Sequence, residues 1–379
     1  MARESSVFRS DQREEETMKR REFLKQAGAG VALGSAAAAA QAQSDAVRWR
    51  FATMWPKSLD AMHGSAENWA KRVSAISGGR FEIRTSAAGE IVPPASVFNA
   101  VQDGTIECGH VLSSFFFGKD TALGFDAGMP FGLNARQQAA WMYDGGGLEL
   151  MREVFKKYNI AQFPVGNVGV QMGGWYRKEI KSVADLKGLK FRIGGIGGAI
   201  LAKLGAVPQQ IPPSDIYTSL EKGTIDAAEW IGPYDDEKLG LHKVAKYYYT
   251  PGWWEGSAMV TLIINQKAWD ALPPAYQQAV EAAAAEQTLV MLAKYDAKNP
   301  DALKRLIGGG AQLRRFPRPV LDACYKATNE FFEEQSAKSP EFKKIYQSWS
   351  KFRDEQNAWF RVAEQTLDDY RFSKSTQGT

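Results

Sequence analysis

Histidine and cysteine are scarce in this sequence, and their scarcity removes whole classes of chemistry. The 379 residues hold three histidines, His63, His110 and His242, set far apart, and two cysteines, Cys108 and Cys324. Beyond the N-terminal leader there is no H-E-x-x-H, C-x-x-C or G-x-S-x-G, so the patterns of zinc hydrolases, dithiol enzymes and serine hydrolases are absent. Nothing in the sequence brings the two cysteines together, and two separate buried thiols are expected rather than a bridge. An excess of one charge is missing too. Lys and Arg number 47 against 43 Asp and Glu, spread along the chain without a basic stripe, so nucleic acid is not an expected partner. After the leader no run reaches the roughly 18 apolar residues of a membrane helix.

What the chain does have begins with that leader. Met18-Lys19-Arg20-Arg21-Glu22-Phe23-Leu24-Lys25 precedes a Gly/Ala-rich apolar run, and Ala40-Gln41-Ala42 offers an A-x-A cleavage site. Twin arginines, a short apolar stretch and small residues at the cut form a signal peptide of the Tat export type, spanning residues 1–42. Met18 is an alternative start. The mature protein is expected to be soluble in the periplasm.

The segment Gly188-Leu-Lys-Phe-Arg-Ile-Gly-Gly-Ile-Gly-Gly-Ala-Ile200 resembles a phosphate loop at first sight. The dinucleotide fingerprint fails in every register: from Gly195 the third glycine position falls on Ile200, and from Gly194 the second falls on Ile196. No Gly-Lys-Ser/Thr follows either. That leaves Arg192, at the end of a short apolar strand, as the residue of interest, with glycines behind it that let a ligand or another backbone approach.

Along the mature chain, strand and helix signals alternate, which predicts an α/β fold with largely parallel sheets. Strands are expected at 47–54, 80–86, 105–112, 160–165, 170–177 and 189–193, and helices at 59–76 and 135–158. Ala100-Val-Gln-Asp-Gly-Thr-Ile-Glu107 is echoed by Ser219-Leu-Glu-Lys-Gly-Thr-Ile-Asp226, each behind a proline pair, Pro93-Pro94 and Pro212-Pro213. The echo suggests two similarly built lobes, with 80–86 and 190–193 in equivalent places. From about residue 265 the pattern is mostly helical, with a long helix broken at Asn299-Pro300 and further helices over 320–336 and 340–370. An exported two-lobed α/β protein without a catalytic constellation reads as a solute-binding protein that closes around a ligand.

The order of R-F-A-T-M-W-P at Arg50, G-T-I-E-C-G-H at Gly104, G-L-K-F-R-I-G at Gly188 and G-T-I-D-A-A-E-W at Gly223 resembles the substrate-binding proteins of tripartite ATP-independent periplasmic (TRAP) transporters. Together with Trp253-Trp254-Glu255, the last of these resembles the branch that binds 2-oxo and 2-hydroxy acids with a cation. The resemblance implies a type II-like periplasmic binding fold of two lobes, with long bridging helices and a C-terminal helical extension. Lobe 1 would cover 43–165, with part of 256–300 crossing back, and lobe 2 would cover 166–255. The bridging and C-terminal helices would fill 256–379. It implies delivery of a small carboxylate to membrane permease subunits, a homodimer through a C-terminal helix, and no enzymatic turnover.

By the same resemblance Arg192 grips the ligand carboxylate. Gln171, Glu229, the Trp230 carbonyl and Glu255 hold a cation that also touches the ligand, and Asn167 is a further polar contact. The chemistry agrees. A guanidinium matches a carboxylate bidentately where lysine cannot, and carboxylate, amide and carbonyl oxygens suit Ca²⁺ or Na⁺, between which the sequence does not choose. Plainer readings stand beside each: Arg192 as a surface base, Glu229 and Glu255 as lysine partners, Gln171 as an outward polar residue, and Trp230, Trp253 and Trp254 as core. Trp55 and Phe115-Phe116-Phe117 either line the first lobe's side of the cleft or pack beneath it. An exported enzyme acting on organic acids, or a binding protein for a dicarboxylate, are the competing functions.

Overall fold

The computed structural model describes residues 46–375, so the signal peptide reading of residues 1–42 lies outside the described residues. Two sheets organise the chain. The first runs in the order β2-β1-β3-β10-β4, from β1 (Val47–Thr53), β2 (Phe81–Ser86), β3 (Cys108–Val111), β4 (Ile160–Asn167) and β10 (Met259–Asn265). The second runs β11-β9-β5-β8-β6-β7, from β5 (Trp175–Tyr176), β6 (Lys190–Arg192), β7 (Val207–Gln209), β8 (Ala227–Ala228), β9 (Tyr247–Thr250) and β11 (Gln312–Arg315). The chain crosses between sheets after β4, returns between β9 and β10, and crosses again along the helix Pro274–Gly308.

The internal echo is visible in the topology. β2-β1-β3 and β7-β6-β8 are the same three-strand arrangement, all parallel, with a helix in each crossover. Pro94 and Pro213 each open a helical turn, where a missing N–H costs nothing. Equivalence differs from the expectation in one respect: β6 matches β1, and it is β7 that matches β2. The sheets are also mixed rather than largely parallel. β10 runs antiparallel to both β3 and β4, and β5 to both β8 and β9, because these are the strands on which the chain returns from the other lobe.

Three helical expectations need correction. The stretch 135–158 is two helices, Ala135–Tyr143 and Gly147–Lys156, parted at Gly145-Gly146, where Gly146 has φ +80°. Conversely, the helix at Pro274 does not break at Pro300 but continues to Gly308. A mid-helix proline costs about 3 kcal/mol, and contacts on both sides of it hold the helix to the second lobe. Tyr295 donates to Asp235 at 2.6 Å, Asn299 accepts the Tyr234 N–H at 3.0 Å, and Arg305 forks onto Glu237 at 2.7 and 2.8 Å. The run 340–370 is likewise two helices, Pro340–Val362 and Glu364–Ser375. The strand expected over 170–177 shrinks to Trp175–Tyr176, because the chain is there crossing between lobes.

Helix Pro274–Gly308 carries lobe 1 on its first half, where Trp69 donates to the Val280 carbonyl and Arg72 pairs with Glu286. Its second half carries lobe 2. Helix Arg318–Lys338 is a second bridge: Phe331 packs on Phe117 of the first lobe, and Glu334 pairs with Lys203 of the second. Helix Pro340–Val362 lies on lobe 1, its buried Phe342 and Trp349 against Phe125. Cys108 and Cys324 are both buried and unbridged. Among the described residues no helix is long and apolar enough to cross a membrane.

Candidate functional site

In open α/β sheets, the carboxyl ends of parallel strands form the ligand crevice. Here those ends face one another across the two lobes. Just past β1 stands Trp55, and past β3 stand Leu112, Ser114 and Phe115. β6 ends on Arg192 and leads to Gly194, and β8 leads to Glu229, Trp230 and Ile231. Gln171 comes from one interlobe crossing, and Trp254 and Glu255 come from the other. All of these except Ser114, together with Met62, Val168 and Ala258, line a cavity of about 20 Å³ between the lobes.

The glycines behind Arg192 serve the meeting of the lobes. Gly195 has φ +60°, and a Cβ there would stand 3.1 Å from the Ser114 carbonyl of the first lobe. A Cβ on Gly197 would meet the Trp254 side chain at 2.8 Å. The expectation of close approach is met by the facing lobe's backbone and a cavity-lining tryptophan.

Arg192 is 1% exposed and forms the polar centre. Its Nη1 donates to both the Glu229 carboxylate and the Glu229 carbonyl at 2.6 Å, and its Nε donates to the Ile211 carbonyl at 3.1 Å. The guanidinium carbon lies 5.1 Å from the Trp230 ring centre, a cation–π contact. Glu255 accepts from the Ser114 hydroxyl at 3.4 Å, so the first lobe reaches the acid of the second crossing. Main-chain bonds brace the floor: Glu229 N–H to the Arg192 carbonyl, Gln171 N–H to the Glu255 carbonyl and Gly252 N–H to the Gln171 carbonyl, at 3.0 to 3.2 Å. Behind them buried Asp236 accepts from the Ile231 N–H, the Trp175 indole and the Tyr248 hydroxyl.

Thus Arg192, Gln171, Glu229, Trp230 and Glu255 converge on one cavity. Asn167 does not line it. Its amide donates to Ser257 at 2.9 Å and accepts the Gly169 N–H at 2.8 Å, so both ends are engaged in holding the interlobe crossing. Trp55 and Phe115 line the first lobe's side, whereas Phe116 packs on Phe98 and Phe117 on Phe331. Sequence reasoning missed Ser114, Met62 and Leu112. The strand-end rule applied to β3 was the signal that reaches Leu112 and Ser114; Met62 carries none.

Burial dominates the electrostatics. It pushes Glu229 up to about 7 against the pull of Arg192, and Glu255 up to about 8, aided by the negative Glu229 beside it. Arg192 is itself lowered by burial, opposed by Glu229, Glu255 and Asp236. One guanidinium therefore faces two buried carboxyl groups and stabilises the nearer. The buried Gln171 Oε1 accepts no hydrogen bond. Among the described residues no three His, Cys, Asp or Glu side chains gather as a metal cluster, so a cation here would draw on amide and main-chain oxygens as well as carboxylates. An unpartnered amide oxygen, two carboxyls that burial keeps short of positive charge and a nearby carbonyl fit a hard, oxygen-preferring ion.

The model of the family described as bacterial extracellular solute-binding protein, family 7 (DctP), matches residues 51–339. A monocarboxylate 2-oxoacid-binding periplasmic protein of Nostoc sp. is 46% identical over 94% of this chain and 100% of its own length. A solved TRAP transporter solute-binding protein of Bordetella bronchiseptica is 61% identical over 88% of this chain and 100% of its own, with a TM-score of 0.87. It is a mixed-occupancy dimer with copurified calcium and picolinate in one active site and an apo site. A TRAP periplasmic solute-binding protein of Pseudoalteromonas atlantica, solved with sodium and pyruvate, is 41% identical over 85% of this chain and 98% of its own, at TM-score 0.83.

Proposed function

The chain belongs to the bacterial extracellular solute-binding proteins of family 7, and from that premise we propose that it captures a small 2-oxo or 2-hydroxy monocarboxylate, of pyruvate or lactate size, together with one cation. The observation that carries this is a single buried guanidinium facing two buried carboxyls and an unpartnered amide oxygen in an otherwise apolar interlobe cavity. Arg192 takes the ligand carboxylate through the Nη2 donors that its bonds to Glu229 and Ile211 leave free. Gln171 Oε1, Glu229, the Trp230 carbonyl and Glu255 hold Ca²⁺ or Na⁺. When bound, the ion supplies positive charge to the ligand's carboxylate and 2-oxygen. Asn167 acts behind them, fixing the crossing rather than touching solute. Arg192 is the one cationic side chain on the lining, so a second carboxylate would be buried without a partner, which disfavours dicarboxylates.

Calorimetric titration of chelator-stripped protein with pyruvate and lactate, in CaCl₂ and in NaCl, tests the reading. Binding at micromolar concentration or tighter is expected. No heat with either acid in either salt would sink it.

We place the protein in the periplasm, exported by the Tat route on the Arg20-Arg21 signal, cleaved near Ala42, and delivering solute to the membrane subunits of a TRAP permease. We also read it as a homodimer. Trp359, Val362, Leu367 and Tyr370 of the C-terminal helices are each more than half exposed, an apolar surface that a second copy would cover. A native mass spectrum of protein recovered from a periplasmic extract reads both points. A chain starting near residue 43 at twice its own mass is expected; an uncut chain or a monomer at micromolar concentration would overturn the respective half.

A further inference from the structure

G-T-I-E-C-G-H ends on a histidine that the proposed chemistry does not use. His110, on β3, is wholly buried. Its Nδ1 accepts the indole N–H of Trp55 at 2.8 Å, and its Nε2 lies 3.4 Å from the Ser65 hydroxyl, which in turn donates to the Met62 carbonyl at 2.8 Å. An indole nitrogen can only donate. Nδ1 must therefore be bare, and the neutral ring carries its proton on Nε2, directed at Ser65. Every donor in this chain has one acceptor. Burial supports the neutral form, pushing His110 down to about 3, with His63 adding to the shift.

Both ends of the relay are cavity walls, since Trp55 and Met62 line it from the first lobe. Across the cavity the Trp55 ring stands 6.1 Å from that of Trp230, on the side of the lobe that carries Arg192, and within its own lobe it stands 6.3 Å from Phe115. A ring free to swing would alter the space left beyond a carboxylate held by Arg192. We propose that His110 is a positioning residue that fixes Trp55 as the wall limiting how long a solute the cavity accepts. The resulting preference is for 2-oxo acids with a one- or two-carbon tail over those with longer alkyl chains. This rests on the reading of the cavity as a 2-oxo acid site.

The test is calorimetry with pyruvate and with 2-oxohexanoate, in CaCl₂, on the wild type, His110→Asn, His110→Leu, Trp55→Phe and the His110→Leu/Trp55→Phe double variant. His110→Leu strands the indole N–H and should weaken pyruvate binding about tenfold, the scale of one buried donor left unpaired. It should also narrow the preference for pyruvate over 2-oxohexanoate. In His110→Asn an amide oxygen replaces Nδ1 and should restore most of both. On the Trp55→Phe background, which has no indole N–H, His110→Leu should cost little more. Losses that multiply in the double variant, or a preference unchanged in His110→Leu, would overturn the assignment. Wild-type protein that binds neither acid would instead overturn the ligand reading. Should His110→Leu not fold, the wild-type indole N–H resonance missing from Trp55→Phe spectra decides. A solvent-protected signal that does not move between pH 5 and 8 supports the pair, and one exchanging as freely as an exposed indole overturns it.

Discussion

Arg192→Ala is expected to abolish solute binding while leaving the protein folded. The side chain is 1% exposed and its charge is the only positive one on the cavity lining. Truncating one partner of a buried charge pair between protein and ligand costs about 2–5 kcal/mol of binding, roughly thirtyfold to several thousandfold in affinity. No other cationic side chain on the lining can take its place, so the loss falls at the upper end. Folding is protected because Glu229 can protonate: burial already holds it at about 7, and without Arg192 it rises further. Arg192→Lys should recover little, since an ammonium cannot reach the Glu229 carboxylate, the Ile211 carbonyl and a ligand carboxylate in one plane. Calorimetry with pyruvate reads the loss, and circular dichroism confirms the fold. Micromolar binding retained by a folded Arg192→Ala protein would remove Arg192 from the site.

Arg192, Glu229 and Trp230 follow strand ends, while Gln171 and Glu255, on the interlobe crossings, are reached through the family resemblance alone. Lys190-Phe191-Arg192 and Asp226-Ala-Ala-Glu-Trp230 are short apolar strands closed by a charge, a pattern with little reason to exist on a plain surface. The repeated Gly-Thr-Ile, with Gly104 at φ +73° and Gly223 at +70°, marked the same helix end in both lobes. What failed were judgements on features whose fate is decided by tertiary contact. Pro300 reads locally as a breaker, but Asp235, Tyr234 and Glu237 grip the helix around it. The strand expected over 170–177 reads as an ordinary one, and the antiparallel setting of β5 within it comes from the chain's crossing between lobes. The glycines after Arg192 signalled close approach without saying by what, and the partners are Ser114 and Trp254, far away in sequence. Asn167 is a ligand contact only by resemblance, and in the structure its amide bonds to Ser257 and Gly169.

Ligand-free protein should lose stability steadily from pH 5 to 8, and Ca²⁺ with pyruvate should cancel much of that loss. Glu229 and Glu255 titrate near 4.5 when unfolded but at about 7 and about 8 when folded. Between those values the native state holds protons that the unfolded state has released, so unfolding becomes easier as pH rises, and the penalty is complete once pH passes the folded values. Below about pH 4.5 both states are protonated and these groups contribute nothing. For Glu255, which has no direct cationic partner, the cost is on the order of 4 kcal/mol, several degrees in melting temperature for a chain of this size. Asp126, buried and raised to about 6, adds to the slope away from the cavity and should not respond to ligand, whereas Asp236, raised to about 7, adds to it from directly behind the cavity floor, within the field of Arg192 and Glu229. The cancellation is therefore partial, and Glu255→Gln should flatten the ligand-free profile by its own share.

Charge balance then separates the two ions. Burial raises Glu255 further than Glu229, which Arg192 holds down, so Glu255 is the carboxyl that keeps its proton to higher pH, and Na⁺ with a monocarboxylate enters as a neutral pair that gives it no charge reason to ionise. Ca²⁺ and the same acid bring one surplus positive charge, which the buried cavity answers by ionising Glu255. Calorimetry in buffers of different ionisation enthalpy should find about one more proton released with Ca²⁺ than with Na⁺. Equal release with both ions would show that the charge of the ion does not set the ionisation of Glu255. A melting temperature flat from pH 5 to 8, with or without ligand, would show that the two carboxyls are not held protonated by burial.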